Sequence, residues 1–391
     1  MNVLTKQILE TTFDTHNRYK ALLNVLKAIK ENNDINETNR RLLLEYNDFL
    51  EREFSKGELS VSAWQKNIAE AHNFTKFFSK PLKELVKEDI EKWWKFQEDR
   101  QINKEITTWT VLKYCGQARK FLRFCFGLPK KKYVEIFDWI SLPKSPKQNI
   151  IASELPSQKE IKKVIEGMYV EGKRMSIRNQ AVMALCNDSG CRISEALSLR
   201  NMDIQPEKNY LVVSFPKSKT SPRTVISFLA KPFLENWAKV SPNKDKGSKS
   251  DAPFFCTSYG KTIMYAELRK QLIKCLNRTG VSFPKGKKAH FFRKLFATRS
   301  YAWSKAQRDY WMGWSGGISD SYTHLDYRAC IKPYFEMLKE ENNPMLREEA
   351  VMWDEETISE QVIKKLIEKK PEEFRLLLKH LVTETMHEDL Q

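Results

Sequence analysis

The sequence predicts a mainly α-helical protein with one small antiparallel sheet, an α+β chain of two domains with helical extensions at both ends. Three observations carry this. Apolar residues recur at helical spacing through the first 128 positions, with no alternating run among them. One pair of short strand-like segments, 210–215 and 223–229, is joined by the proline-bounded stretch Pro216 to Pro222. A proline-rich interval with little periodicity, holding Pro143, Pro146 and Pro156, separates the two patterns. The length of 391 residues suits two or three domains at about 150 residues each.

Residues 1–36 read as an N-terminal helical extension, with Leu4, Ile8, Leu9, Leu22, Val25, Leu26 and Ile29 setting a helix over 3–31 and Asn32-Asn33-Asp34 ending it. Residues 37–140 form an all-α domain. Leu42, Leu43, Tyr46 and Leu50 mark its first helix, and Ile68, Ala71, His72, Thr75 and Phe78 a second, stopped by Pro81. Leu85, Ile90, Trp93, Trp94 and Phe96 span a third. Val111, Cys115, Ala118, Leu122 and Cys125 mark a fourth, closed by Gly127 and Pro129. That last helix also carries Lys113, Arg119, Lys120 and Arg123.

Residues 141–157 are a linker. Ser157 and Glu160 then make a capping box that opens the second domain, 158–340. Helices are expected there at 176–188, 192–200, 231–239, 264–278, 290–303 and 305–312. The Lys/Ser/Gly-rich loop from Ser241 to Ser250 is expected to be mobile. Residues 341–391 form an acidic tail. Ile358, Val362, Ile363, Leu366 and Ile367, then Phe374, Leu377, Leu378 and Leu381, lie on two amphipathic helices parted by Pro371.

Lys plus Arg number 67 against 50 Asp plus Glu, a formal charge of +17. The excess is local: residues 158–339 hold 33 basic and 15 acidic groups, while 340–391 hold 14 acidic and 7 basic. A folded segment this basic meets a polyanion, and nucleic acid is the first candidate. The chain lacks the run of about 18 apolar residues that a span needs and lacks a signal-peptide block, so a cytoplasmic protein with no membrane partner is expected. Seven scattered cysteines without a C-x-x-C pair read as reduced, buried thiols.

Four clusters offer chemistry. In Gly190-Cys191-Arg192-Ile193-Ser194-Glu195, a glycine break puts a guanidinium beside the free N–H groups of a new helix, with Glu195 placed to orient it. His290-Phe291-Phe292-Arg293 sets imidazole and guanidinium on one helical face, behind the basic run Lys285-Gly286-Lys287-Lys288. Gly313-Trp314 is a tight turn that can offer an indole N–H. Tyr322 follows eight residues later. Singly, each also fits a salt bridge, a core histidine or a packed aromatic.

Their order is more telling than any member. Arg-x-x-Glu, a lysine-bearing hairpin, His-x-x-Arg, Gly-Trp, then tyrosine resembles the tyrosine recombinase (phage integrase) family over about residues 37–335. Met312-Gly313-Trp314-Ser315 and Tyr322-Thr323-His324-Leu325 look most like archaeal and archaeal-virus integrases. The resemblance implies that 37–140 is a core-binding (DNA-binding) domain and 158–340 a catalytic domain that cuts and rejoins DNA at specific sites.

By that likeness Arg192 and Arg293 clamp the scissile phosphate, and Tyr322 attacks it to form a 3′-phosphotyrosyl bond. His290 is the base or proton relay. Lys219 is the general acid, with Lys217 in reserve, and Glu195 supports the site. Trp314 stands where many relatives carry histidine, and Tyr327 is the alternative nucleophile. No cofactor and no metal are implied, in keeping with the lack of a G-x-x-x-x-G-K-[ST] loop and of a two-metal acidic cluster. Lys113, Arg119, Lys120, Arg123, Lys217, Arg223, Lys287 and Lys288 are the expected DNA contacts. The implied partner is double-stranded DNA, bound by a homotetramer on paired sites, with the acidic tail as a docking element. Two other readings stay open: a DNA-binding regulator that has lost the chemistry, and a type IB topoisomerase-like nicking–closing enzyme.

Overall fold

The chain divides into two compact units, Met1–Ala152 with Met264–Ala266 and Ser153–Ile263 with Glu267–Gln391. The computed structural model describes residues 17–129, 132, 134–144, 155–218, 220–283, 289–314, 326–341 and 343. Lys219, Lys287, Lys288, Tyr322 and all of the tail but Glu341 and Asn343 therefore lie outside the described residues.

The described part of the first unit is helical: α1 (Arg18–Glu31), α2 (Glu37–Ser55), α3 (Val61–Thr75), α4 (Lys87–Ile102), α5 (Thr108–Cys125) and a single turn, α6 (Glu135–Asp138). Side-chain caps fix three of the starts. Asn36 Oδ1 accepts from Thr38 N at 2.8 Å, Ser60 Oγ from Ala63 N at 3.2 Å and Thr107 Oγ1 from Thr110 N at 3.3 Å. Of the N-terminal helix expected over 3–31, the described portion is no appendage. Leu22 and Ile29 are wholly buried, and α1 packs across α3. Tyr46, Trp64, Ile68, Phe121 and Leu122 fill the core. Buried Asn39 donates to Lys80 O (3.0 Å) and accepts from Leu82 N (2.8 Å), which satisfies turn groups that water cannot reach.

In the second unit, α7 (Gln158–Gly167) starts at the expected capping box: Glu160 N donates to Ser157 Oγ, and Ser157 N donates back to Glu160 Oε2 at 2.8 Å. There follow α8 (Arg174–Ser189), α9 (Ile193–Leu197), β1 (Ile204–Pro206), β2 (Leu211–Phe215), β3 (Arg223–Ser227), α10 (Lys231–Val240), α11 (Tyr265–Thr279), α12 (His290–Arg299), α13 (Lys305–Met312) and α14 (Ile331–Glu340). Twelve of the sixteen residues of α8 are buried. It is the axial helix, surrounded by α7, α9, α10, α12 and β3. The sheet runs β1-β2-β3, antiparallel throughout, with Phe215 opposite Arg223. The sequence shows only two of these strands, because β1 is three residues long and too exposed to alternate.

The loop from Ser241 to Ser250 is tied down rather than loose. Asn201 Nδ2 reaches Asn243 O (3.3 Å), Gly247 O (3.2 Å) and Ser250 Oγ (3.3 Å). Buried Asn243 in turn donates to Pro253 O and Gly260 O. All seven cysteines are buried free thiols. Among the described residues no helix is long and apolar enough to cross a membrane.

Candidate active site

The site begins where α8 ends. Gly190 caps the helix in the left-handed region (φ 61°), and its N–H donates to Cys186 O. A Cβ at this position would sit 2.7 Å from Cγ of Phe296. Only glycine satisfies both the backbone and the ring. Gly190→Ala is therefore expected to lower stability by about 2–4 kcal/mol, the left-handed penalty plus overpacking. A lower urea midpoint at unchanged slope would register it, and a shift within error would refute it.

Two residues on, Arg192 heads α9 with its side chain one-fifth exposed. Its N–H donates to Glu195 Oε2 (2.7 Å) and its Nη1 to Glu195 Oε1 (2.8 Å), while Nη2 reaches Thr220 Oγ1 at 3.4 Å. Glu195 is buried and also receives Arg223, through Nη2 to Oε2 (2.9 Å) and Nη1 to Oε1 (3.2 Å). Burial pushes the Glu195 carboxyl up, but the hydrogen bonds and charge of Arg223 and Arg192 outweigh this and hold it at about 2.

Arg223 was expected on a DNA-contacting surface, and the structure corrects this. Its side chain is 1% exposed. Nε donates to Trp311 O at 2.6 Å, and Cζ lies 4.8 Å from the ring centre of Phe215, its cross-strand partner. The reason is register: Arg223 shares the buried face of β3 with Val225 and Ser227. Gly313 (φ 59°) leaves the room, since a Cβ there would meet Arg223 Nη1 at 2.8 Å.

Arg293 enters from α12, about a hundred residues further along the chain. It is buried; Nη1 donates to Gly190 O (3.0 Å) and Nη2 to Met312 O. Burial first, then repulsion from Arg192, lowers its pKa to about 10, so it stays cationic at neutral pH. Trp314 closes the group, its ring centre 5.8 Å from the Arg293 Cζ. His290 stands exposed at the first position of α12, one turn before Arg293. Two guanidiniums thus share the Glu195 carboxylate while Arg293, near Arg192, has only carbonyl partners, and the surplus positive charge favours an anion.

The hairpin also converges here. Ser218 Oγ donates to Glu195 Oε1 at 2.9 Å, and Thr220 Oγ1 donates to Gly313 O. Both neighbours of Lys219 are therefore bound into the Arg192–Glu195 group. Neither serine nor threonine was singled out in the sequence. Partial burial and the charge of Arg200 lower the pKa of Lys217, against the opposing pull of Asp203. Tyr327 begins a helical turn over Tyr327–Cys330, beside Arg328.

In the first unit, Lys113 is paired with Glu70 at 2.5 Å. Arg119 donates to Phe137 O at 3.2 Å and lies over that ring. Lys120 and Arg123 are half-buried.

This arrangement has a counterpart among known proteins: residues 157–327 match the phage integrase family. That stretch carries Arg192, Glu195, Arg223 and Arg293. Tyrosine recombinase XerS of Streptococcus gordonii is 30% identical to the chain over 151 residues, which are 38% of this chain and 42% of XerS. The chain thus spans about two fifths of that relative's length. The XerH site-specific recombinase, solved with its difH substrate before cleavage, is 17% identical at a TM-score of 0.50 and covers 85% of this chain and 98% of its own. A lambda integrase tetramer on a Holliday junction gives 11% identity at a TM-score of 0.53, with 81% and 86% covered. These matches show that the first, helical unit has the fold of the recombinase core-binding domain and the second that of the catalytic domain. XerS here is a streptococcal protein, and the archaeal likeness read from Met312-Gly313-Trp314-Ser315 finds no support.

Proposed function

We propose that the chain is a site-specific DNA recombinase that breaks and rejoins strands through a 3′-phosphotyrosyl intermediate. The convergence of Arg192 and Arg293 on one pocket, each oriented by fixed acceptors, carries the reading. Two guanidinium forks hold the non-bridging oxygens of the scissile phosphate and offset the charge that grows on them. The Tyr322 phenol attacks phosphorus and gives its proton to His290. The P–O5′ bond breaks, and the departing oxygen takes a proton from Lys219, whose neighbours Ser218 and Thr220 are bound to the arginine cluster. Trp314 packs against Arg293 and cannot shuttle a proton. The covalent ester stores the energy of the broken bond, and a 5′-hydroxyl from a second duplex reverses the step to exchange strands.

The partner is double-stranded DNA held by basic surface, so binding weakens as salt rises. Strand exchange calls for a tetramer on two sites, as in the lambda integrase complex with a Holliday junction, and the acidic tail is the proposed docking element. The test is adduct trapping. The chain is incubated with a pool of duplexes nicked next to the cleaved position, so that the freed end diffuses away. Denatured protein–DNA adducts are then recovered and sequenced. A site-specific adduct is expected from the wild type and none from Tyr322→Phe. An adduct that persists in Tyr322→Phe would sink the assignment. No adduct from the wild type at any site would favour a DNA-binding regulator. Relaxation of arbitrary supercoiled plasmid would favour the topoisomerase reading.

A further inference from the structure

The connection between β2 and β3 meets the arginine group through two hydroxyls, each with a fixed polarity. Ser218 Oγ donates to Glu195 Oε1 at 2.9 Å and accepts from Arg223 Nη1 at 3.4 Å. Thr220 Oγ1 gives its proton to Gly313 O, which leaves its lone pairs to accept from Arg192 Nη2 at 3.4 Å. Ser218 is half-buried and Thr220 exposed. The reaction proposed above assigns no step to either hydroxyl.

A planar fork needs two anchors. The bond from Nη1 to Glu195 Oε1 (2.8 Å) fixes where the Arg192 guanidinium sits but leaves its plane free to turn. A contact at the other terminal nitrogen sets that plane. Arg293 draws both of its anchors from main-chain carbonyls, Gly190 O and Met312 O. Arg192 draws both from side chains. The second is Thr220, and the first, Glu195 Oε1, is itself held by Ser218 and by Arg223 Nη1. Thr220 also ties the fork to Gly313, next to the Met312 carbonyl that aims Arg293, so the two guanidiniums are set relative to one turn of chain.

We propose that the Ser218 and Thr220 hydroxyls are positioning groups that set the plane of the Arg192 guanidinium for the scissile phosphate. The inference rests on the reading of Arg192 as a phosphate clamp. Both residues act through Arg192 and Glu195. Stability asks little of Thr220, because an exposed hydroxyl that loses one partner is replaced by water. Geometry asks more. A fork turned away from the oxygens it must meet loses the bidentate approach that makes its bonds strong, and small misplacements slow the chemistry out of proportion.

The experiment uses the full chain and the nicked duplex recovered above, in single-turnover adduct formation across a range of protein concentrations. Thr220→Val keeps the shape and removes the hydroxyl. It is expected to lower the maximal rate about tenfold, to move the half-saturating concentration less than about twofold, and to leave the urea midpoint within error. Thr220→Ser is expected to recover most of the rate. Ser218→Ala is expected to lose less than Thr220→Val, since Arg223 still holds Glu195. Two controls locate the effect. In an Arg192→Lys background, Thr220→Val is expected to cost less than about twofold, because the fork it aims is gone. On a substrate with sulfur at the bridging 5′ position, whose thiolate leaves without a general acid, the deficit is expected to persist, which separates the aiming of Arg192 from proton delivery by the neighbouring Lys219. A Thr220→Val rate within twofold of wild type would overturn the proposal. So would a full deficit in the Arg192→Lys background, or one that vanishes on the sulfur substrate. A urea midpoint that falls along with the rate would reduce the two hydroxyls to a structural role. An Arg192→Lys protein as fast as wild type would strike the clamp reading itself and so is a separate failure.

Discussion

Arg293→Ala is expected to lower the single-turnover rate of phosphotyrosyl adduct formation by at least about a thousandfold. The loss of one fixed donor aimed at a developing oxyanion costs about 10²–10³, and here the donor is also a full positive charge in a buried site. The guanidinium is aimed by two main-chain carbonyls, Gly190 O and Met312 O, which belong to the segments that lead into Arg192 and Trp314. In the proposed reaction one side chain both holds the phosphate and ties together the two stretches of chain beside it. Arg293→Lys is expected to recover less than a tenth of the lost rate, because a single ammonium cannot serve both carbonyls and a phosphate at once. Affinity for DNA should fall by less than tenfold, since one phosphate contact among many is removed. Affinity is read by filter binding at fixed salt, and the rate by adduct yield over time. An Arg293→Ala protein within tenfold of the wild-type rate would show that this pocket does not hold the scissile phosphate.

How far the sequence revealed this arrangement depends on the length of the signal each part leaves. The helices of the first unit could be read from their stripes because Leu42, Leu43, Tyr46 and Leu50, or Val111, Cys115, Ala118 and Leu122, repeat over more than two turns and then bury as a set. In β1 one half-buried and two exposed residues leave no pattern to read, and α9 stops at Leu197 where the sequence suggested 200. The Arg192–Glu195 pair was legible because a helical spacing of three is local. Arg223 was not: its meaning depends on a register with Phe215 and on a carboxylate 28 positions away. A signal existed all the same. Arg223, Val225 and Ser227 alternate, so if Val225 faces the core then Arg223 does too, and a buried arginine needs an acid. The Asp188–Tyr334 bond spans 146 positions and joins two residues that no local spacing relates. Only the folded chain could bring it to view.

Glu195→Ala should cost about 3–5 kcal/mol of stability, because it leaves the buried guanidinium of Arg223 without its counter-charge. Glu195→Gln is expected to fall between, since it keeps the volume and one acceptor. The pH dependence gives a sharper test. The Glu195 carboxyl is held at about 2, against 4.5 when free. The unfolded chain therefore takes up its proton at the higher pH. The resulting stabilisation, about 3 kcal/mol, is complete above pH 4.5 and is lost as pH falls toward 2. Urea midpoints of the wild type should drop more steeply from pH 5 to pH 3 than those of Glu195→Gln. Parallel profiles would show that this carboxylate is not the one bearing the load. Pairing Glu195→Leu with Arg223→Met removes both charges and is expected to return most of the stability, as apolar replacements of buried ion pairs often do. It should not return the chemistry. Arg192 would keep its charge but lose the two oxygens that fix its fork, so a stable protein that cleaves slowly would separate the structural share of Glu195 from its share in aiming Arg192.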